Sequence, residues 1–297
     1  MKFDVTILTD RRYVAQNYPD TYSQNVVLED RLLAEALERK GLMVTRTHWD
    51  NPYFDWSGTR FAIFRTTWDY FDRFDEFEPW LDRVRGLTTL INPTELIYWN
   101  IDKFYLRDLE KQGVNLPPTI FIERGETKPL QELLASTTWQ EVILKPSVSG
   151  AARHTYRFKK EDTADYTSIF NELVSSERLL LQEFQTNILT KGEVAFMVFG
   201  GKYSHAILKK AKAGDFRVQD DFGGTVHPYE ANPEEIAFIE KAIAACSPVP
   251  LYARVDVIWD NHGALCLGEL EMIEPELWFR MNDASADQLA EAIFAIC

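Results

Sequence analysis

Cysteine is scarce in this chain. Cys246, Cys266 and Cys297 are dispersed and lack C-x-x-C spacing, which excludes a disulfide framework or a cysteine zinc site. They read as small buried hydrophobes in a reducing compartment, the cytoplasm. The five histidines show neither H-x-x-H nor H-E-x-x-H spacing, so no histidine metal centre follows. No serine or cysteine stands in a nucleophile motif. No apolar run approaches the ~20 residues that a bilayer requires. The first ten residues carry charges at Lys2 and Asp4 and read as a strand, not a signal peptide. Positive charge is also short, with 32 Lys and Arg against 46 Asp and Glu and a net charge of −14. A surface that acidic repels phosphate backbones, and no local basic groove offsets it, so no nucleic-acid partner is expected. The glycine signatures of two nucleotide folds are missing: no G-x-G-x-x-G follows the first strand, and no G-K-[ST] occurs.

What is present is an ordinary folded composition, 45% hydrophobic and 26% charged over 297 residues, enough for two or three lobes around one cleft. Strands are expected near residues 3–8, 42–47, 60–65 and 88–91, with helices near 23–40 and 76–85. The second helix reads as entered through Asp75 with Glu78 three residues on, a capping box. This alternation predicts a small parallel α/β domain. A helix over 101–112 then ends at Gly113, and Pro117-Pro118 forces an extended segment. Strands near 119–122, 141–145, 154–158 and 179–184 follow, with helices near 128–135 and 162–175. Beyond Glu193 come two hairpins, one turning at Gly200-Gly201 and one around Asn261-His262. The helix 233–245 between them has Asn232 as its cap and Pro233 at its first position, and a last helix covers 285–296.

Three constellations carry chemistry. In the last hairpin, pairing about Asn261-His262 sets Asp256 opposite Leu267 and Arg254 opposite Glu269. Side chains two apart share a face, so Arg254, Asp256, Glu269 and Glu271 project together, roughly 5–8 Å from one another. Three clustered carboxylates suit Mg²⁺ with waters and phosphates completing its shell; a solvated acidic face is the other reading. The second constellation is Lys103 in the first turn of the 101–112 helix with Lys145 at the end of strand EVILK. Lys145 precedes a loop of small residues, Ser147, Ser149, Gly150 and Ala151, over which backbone N–H groups can approach a phosphate. The third is the first hairpin, whose expected pairing puts Glu193, Ala195 and Met197 on one face with Ser204, Ala206, Leu208 and Lys210. That face could hold adenine against Met197 and Leu208, ribose at Glu193 and a phosphate at Lys210, or be a plain edge. Beyond it, Arg217 either clamps a phosphate or carboxylate or pairs with Asp220 or Asp221. Arg65, Thr67, Trp68 and Tyr70 stand at the carboxyl end of strand 60–65, where open α/β sheets bind ligands; core packing explains the rings equally well.

The order of these motifs is N-x-D-K, then I-L-K-P with its loop, L-L-Q-E-F, K-x-x-x-G-D-F-R, and R-x-D…E-x-E. It resembles the ATP-grasp superfamily, in its glutathione-synthetase-like and RimK-like branch and nearest the O-ureido-serine cyclo-ligase group. The resemblance spans nearly the whole chain. It implies an α/β fold with α+β lobes: a pre-ATP-grasp domain over 1–99, a small lobe over 100–185 and a large lobe over 186–297. It further implies Lys103 and Lys145 on the ATP phosphates, with Ser149 and Gly150 in the phosphate loop. Gln182, Glu183 and Phe184 would form the adenine hinge, with Glu193 on the ribose. Lys210 and Arg217 would act at the phosphates or the acyl phosphate, and Asp256, Glu269 and Glu271 would hold two Mg²⁺. Glu271 stands where glutathione-synthetase-like members carry Asn. The implied activity is an ATP-dependent ligation of a carboxylate to an amine through an acyl phosphate. Arg254 and Arg217 are candidates for the oxyanion. Substrate choice falls to Arg65, Thr67, Trp68, Tyr70 and Glu274, and a homodimer is common in such relatives. A small-molecule kinase or a non-catalytic nucleotide-binding protein on the same scaffold are the alternatives.

Overall fold

The opening FDVTILT, rich in branched apolar side chains that suit a buried pleat, forms β1 (Phe3–Thr9). The computed structural model describes residues 2–15, 17–150, 152–218 and 223–297. Ala151, Asp220 and Asp221, named above, lie outside the described residues. After β1 come α1 (Thr21–Arg39), β2 (Val44–His48), β3 (Thr59–Thr66), α2 (Phe74–Val84) and β4 (Thr89–Ile91). The four strands make one parallel sheet in the order β2-β1-β3-β4. The order reverses between β1 and β3, so the carboxyl ends of these two strands flank the crevice where such sheets bind ligands. α2 begins two residues earlier than the sequence indicated. Its N-cap is Arg73, without a side-chain cap, and Asp75 lies inside the first turn, where a carboxylate meets the positive helix end.

The helix expected over 101–112 begins only at 105, as α4 (Tyr105–Lys111), and a separate α3 (Thr94–Ile101) precedes it, so the helical run 94–111 is interrupted. Asp102 breaks it: its backbone is extended and its carboxylate accepts the Phe104 N–H at 3.0 Å, a local bond that competes with the helical ladder. Lys103 therefore sits in the break, its own N–H held by the Ser147 carbonyl at 2.9 Å. A second sheet contains β5 (Thr119–Ile122), β6 (Glu141–Pro146), β7 (Tyr156–Lys159) and β8 (Leu179–Glu183), in the antiparallel order β5-β8-β6-β7. It packs Val142, Phe158 and Leu181 against Leu130 and Phe170 of α5 (Leu130–Ala135) and α6 (Thr163–Ser176).

The third sheet follows the short α7 (Ile188–Lys191) and comprises β9 (Glu193–Phe199), β10 (Lys202–Lys210), β11 (Thr225–Tyr229), β12 (Tyr252–Trp259) and β13 (Leu265–Glu271). Their order is β11-β10-β9-β12-β13. α8 (Pro233–Ala244) lies between β11 and β12, with Asn232 and Glu235 closing a full capping box, and α9 (Ser285–Phe294) ends the fold. Both faces of the sheet are covered. Val194, Phe196, Val255 and Val257 meet α4 and α8 through Leu109 and Ile239. Ala195, Met197, Ile207 and Tyr252 meet the first sheet and α9 through Ile63 and Leu289.

Both hairpins depart from the expected register. Gly200 and Gly201 both have positive φ, as a tight two-residue turn requires, and Phe199 pairs with Lys202. Between Tyr203 and His205 the ladder then slips by one, so Ser204 is extra and Glu193 faces Lys209. A one-residue slip exchanges faces: Lys209 and Ile207 turn to the side assigned above to Lys210, Leu208 and Ala206. In the second hairpin Trp259 pairs with Leu265, one residue more in the loop than expected, and a second slip opens at Gly268. Asp256 therefore pairs with Glu269 and Arg254 with Glu271. Two slips sum to a full pleat repeat, and the four side chains keep their common face.

Candidate active site

The three sheets surround a cavity of about 480 Å³. Its floor is the charged face of β10, β9, β12 and β13, where register stacks Lys209, Glu193, Asp256, Arg254, Glu269 and Glu271. Lys209 lies between Glu193, in contact with its ammonium, and Asp256 Oδ2 at 3.4 Å. Arg254 forks onto Asp256 at 2.8–3.1 Å and reaches Glu271 with the same guanidinium. Burial opposes the charge on Lys209 and on Arg254, yet the neighbouring carboxylates outweigh it and raise both groups above their ordinary values. Burial likewise opposes ionisation of Asp256, but Arg254 and Lys209 hold it below the usual carboxylate range. Beneath this cluster the Trp278 ring lies 5.3 Å from the Arg254 guanidinium and 5.7 Å from the Lys209 ammonium, cation–π distances that orient both.

Across the cavity Lys103 contacts the Ser149 carbonyl and meets Glu269 Oε1 at 3.2 Å. Lys145 lines the same space, and burial pulls its ammonium below the ordinary lysine value, against the attraction of Glu269. It forms no ion pair with the described residues. Glu269 is held low by Lys103 and Lys145 in spite of burial. Glu271 is different: burial, and repulsion from Glu269 and Asp256, push it up to about 7 although Arg254 attracts. Buried acids in this state draw in a cation.

Most sequence-predicted residues line this one cavity: Lys103, Lys145, Ser149, Gly150, Gln182, Glu183, Phe184 and Glu193 on the lobe side. Arg217, Arg254, Glu269 and Glu271 line it too, as do Trp68, Tyr70 and Glu274. Four do not. Lys210 is exposed on the opposite face of β10, and the Ser204 slip gives its place to Lys209. Asp256 lies under the lining, closed into the Arg254 fork. Arg65 and Thr67 are fully buried and do not line the cavity; Arg65 Nε and Nη1 and Thr67 Oγ1 have no hydrogen-bond partner among the described residues. Met197, expected against a nucleotide base, is core; Ile143, Phe184, Ile188 and Ile258 supply the apolar wall instead. Arg217 meets Asp215 at 2.8 Å, an ion pair inside its own loop with a different acid from those anticipated. Sequence reading missed Lys209 and Trp278, and also Asn100, which ties α3 to β13 through the Leu270 carbonyl and Met272 N–H. Asn100 opens the N-x-D-K motif, so a signal for it was present.

Among the described residues no three Asp, Glu, His or Cys side chains are arranged to enclose a metal ion by themselves. The donor set nonetheless fits Mg²⁺, which takes one or two carboxylates and completes its shell with water and substrate phosphate. Glu269 and Glu271 are such oxygen donors on the cavity wall.

Comparison with known proteins gives this geometry a context. The family model "D-cycloserine synthetase DcsG, N-terminal domain" matches residues 5–92. The cycloserine biosynthesis protein DcsG of Streptomyces lavendulae is 28% identical over 280 residues, 88% of this chain and 91% of that protein. A crystal structure of D-cycloserine synthetase DcsG superposes with a TM-score of 0.84 at 25% identity, covering 98% of this chain and 99% of that one. A probable alpha-L-glutamate ligase of Parasynechococcus marenigrum is 30% identical over 183 residues, 60% of this chain but 37% of its own length. The same fold recurs in a RimK domain ATP-grasp protein of Sphaerobacter thermophilus, with a TM-score of 0.67 at 16% identity over 98% of this chain and 97% of that one.

Proposed function

We propose that this chain, a member of the ATP-grasp superfamily and a C–N bond-forming ligase, joins the carboxylate of a small amino-acid-like substrate to an amine, converting ATP to ADP and phosphate. The observation that carries the reading is the charged face itself: four strands bring two cations and four carboxylates together at one wall of one cavity, with Lys103 and Lys145 facing them. Such an array has no role in core packing, where burying charge is costly. It suits phosphoryl transfer, which rests on positioning and electrostatics rather than covalent chemistry by the protein.

In this mechanism the nucleotide would lie between the second and third sheets, its base against Ile143, Phe184 and Ile258 and its ribose near Glu193. Lys103 and Lys145 would meet the phosphates; the unpaired, desolvated Lys145 gains most from an anion. Lys209 takes the part first assigned to Lys210. Glu269 and Glu271, with Asp256 behind them, would hold the Mg²⁺ ions, which supply positive charge against the transferring phosphoryl group. A carboxylate oxygen of the substrate attacks the γ-phosphorus, and the P–O bond to ADP breaks. The amine nitrogen, having given one proton to solvent, then attacks the acyl carbon; phosphate departs with the C–O bonding pair and the nitrogen loses a second proton to solvent to leave the amide. Arg254, fixed by Asp256 and Trp278, and Arg217 on its loop are placed to stabilise the oxyanion. A cytoplasmic setting, with reduced thiols and abundant ATP, fits the three free cysteines.

The test is a phosphate-release screen with Mg-ATP over the proteinogenic amino acids plus D-alanine and D-serine, singly and in pairs. Phosphate release should require a particular acid and amine and yield an amide; release without an amine, with a stable phosphorylated product, would mark a kinase instead. Glu269→Ala should abolish turnover while preserving the fold. Near-normal turnover in that variant removes the carboxylates from the mechanism.

A further inference from the structure

At the end of the cavity nearest the first sheet, the lining changes character. The wall there is Tyr13, Tyr22, Trp68 and Tyr70 from the first ninety residues, facing Glu274 and Glu276 from the loop after β13. The Trp68 indole N–H donates to the Glu274 carbonyl at 2.8 Å, which fixes the acidic loop against the aromatic wall. Tyr13 stands edge-on to Trp68 at 5.8 Å.

Neighbouring charges are committed elsewhere. Arg12 forks onto Asp10, Arg280 holds Glu276 and Glu29, Arg254 holds Glu271 and Asp256, and Lys103 holds Glu269. Glu274 forms no ion pair with any described residue; the Tyr70 hydroxyl is its polar neighbour. Burial and the charge of Glu271 push Glu274 up to about 8, with Lys103 opposing. A carboxyl group that has no cationic partner among the described residues, in a cavity wall lined by aromatic rings, ionises when an organic cation enters beside it and then receives that cation.

We propose that the Glu274 carboxylate, with Tyr70 beside it and the Trp68 and Tyr13 rings around it, is the seat of the ammonium group of the amine-bearing substrate. The inference rests on the ligase reading above and narrows its acceptor to a primary ammonium compound of amino-acid size. It also sets Glu274 apart from Glu269 and Glu271, which face the phosphates.

The experiment compares an ammonium acceptor with a neutral one. The amino-acid acceptor found in the screen is set against hydroxylamine, which is uncharged near neutral pH and captures an acyl phosphate as a coloured hydroxamate. Glu274→Gln should raise the KM for the amino-acid acceptor about 30-fold, the loss of one charged hydrogen-bond partner, with kcat little changed. Hydroxamate formation and the Mg²⁺ concentration for half-maximal rate should stay within about twofold, and Tyr70→Phe should raise the same KM about threefold. Should Glu274→Gln not fold, Glu274→Asp, which keeps the charge but shortens its reach, carries the test with an intermediate KM. Equal loss of amide and hydroxamate, a raised Mg²⁺ requirement, or an unchanged acceptor KM each overturns the assignment. A wild-type protein that forms no hydroxamate with any acid overturns the ligase reading itself, and this inference with it.

Discussion

The hairpins β9–β10 and β12–β13 lie side by side in one sheet, and both depart from the register their turns imply. In the first, one extra residue at Ser204 exchanges the faces of everything after it, so the buried lysine is Lys209 and the exposed one Lys210. In the second, a longer loop and a slip at Gly268 cancel, and Arg254, Asp256, Glu269 and Glu271 stay together. A strand motif thus tolerates an even offset and fails at an odd one. What separates the two outcomes is parity, not the size of the distortion.

The lysine pair breaks this comparison most sharply. Lys209→Ala leaves Glu193 and Asp256 buried without their shared cation and should cost roughly 3–5 kcal/mol. ADP release should fall at least about 100-fold, as when a preorganised charge is removed from a phosphoryl or acyl site. Lys210→Ala should leave both denaturant midpoint and ADP release within about twofold, as for an exposed charge. The reverse pattern would restore the straight register.

Two glycines sharpen it at a smaller scale. Gly192, just before β9, has φ +82°, and a Cβ there would stand 2.4 Å from the Lys209 carbonyl oxygen. Gly192→Ala should cost roughly 1–3 kcal/mol in urea unfolding and disturb Lys209 with it. Gly268, at the other slip, has no positive φ, and its Cβ would clear the Asp256 oxygen at 3.4 Å. Gly268→Ala should cost under about 1 kcal/mol. Equal costs would mean that the first hairpin does not press on Gly192.

A pH dependence follows as well. Glu274, at about 8 in the fold against an ordinary 4.5, and Glu271, at about 7, keep their protons longer folded than unfolded. Stability of the metal-free protein should therefore fall as pH climbs from about 4.5 to about 8 and level off above. Tyr70, Lys103 and Glu271 are the groups that face Glu274. Glu274→Gln should flatten that slope when melting midpoints are followed across pH; an unchanged slope would place the titration elsewhere.

Much of the fold was legible because its signals are local. Asn232, Pro233 and Glu235 name the start of α8, and the β/α alternation of the first ninety residues names its parallel sheet. The missed elements lacked such signals. β11 carries Pro228 on an exposed edge and shows no clear alternation. The break at Asp102 depends on one side chain choosing a local bond over the helix, next to a Lys103 N–H that the Ser147 carbonyl holds from just beyond β6. Placement at the cavity followed the same division: candidates in contiguous motifs line it, and Glu274 lines it with Trp68 and Tyr70. Lys209 was lost to a bulge at an ordinary serine, which no residue type announces, whereas Gly268 inside a strand pattern was at least a hint. Arg65 and Thr67 sit at the right end of β3, but both are buried, Arg65 with its guanidinium over the Phe279 ring at 5.5 Å.

The central claim is that a substrate carboxylate oxygen becomes bonded to the γ-phosphorus of ATP. It is tested most directly by running the ligation with the acid labelled with ¹⁸O in its carboxyl group and weighing the released phosphate. The account predicts one ¹⁸O atom in the phosphate for each amide formed. Phosphate without the label, with amide still produced, would contradict it.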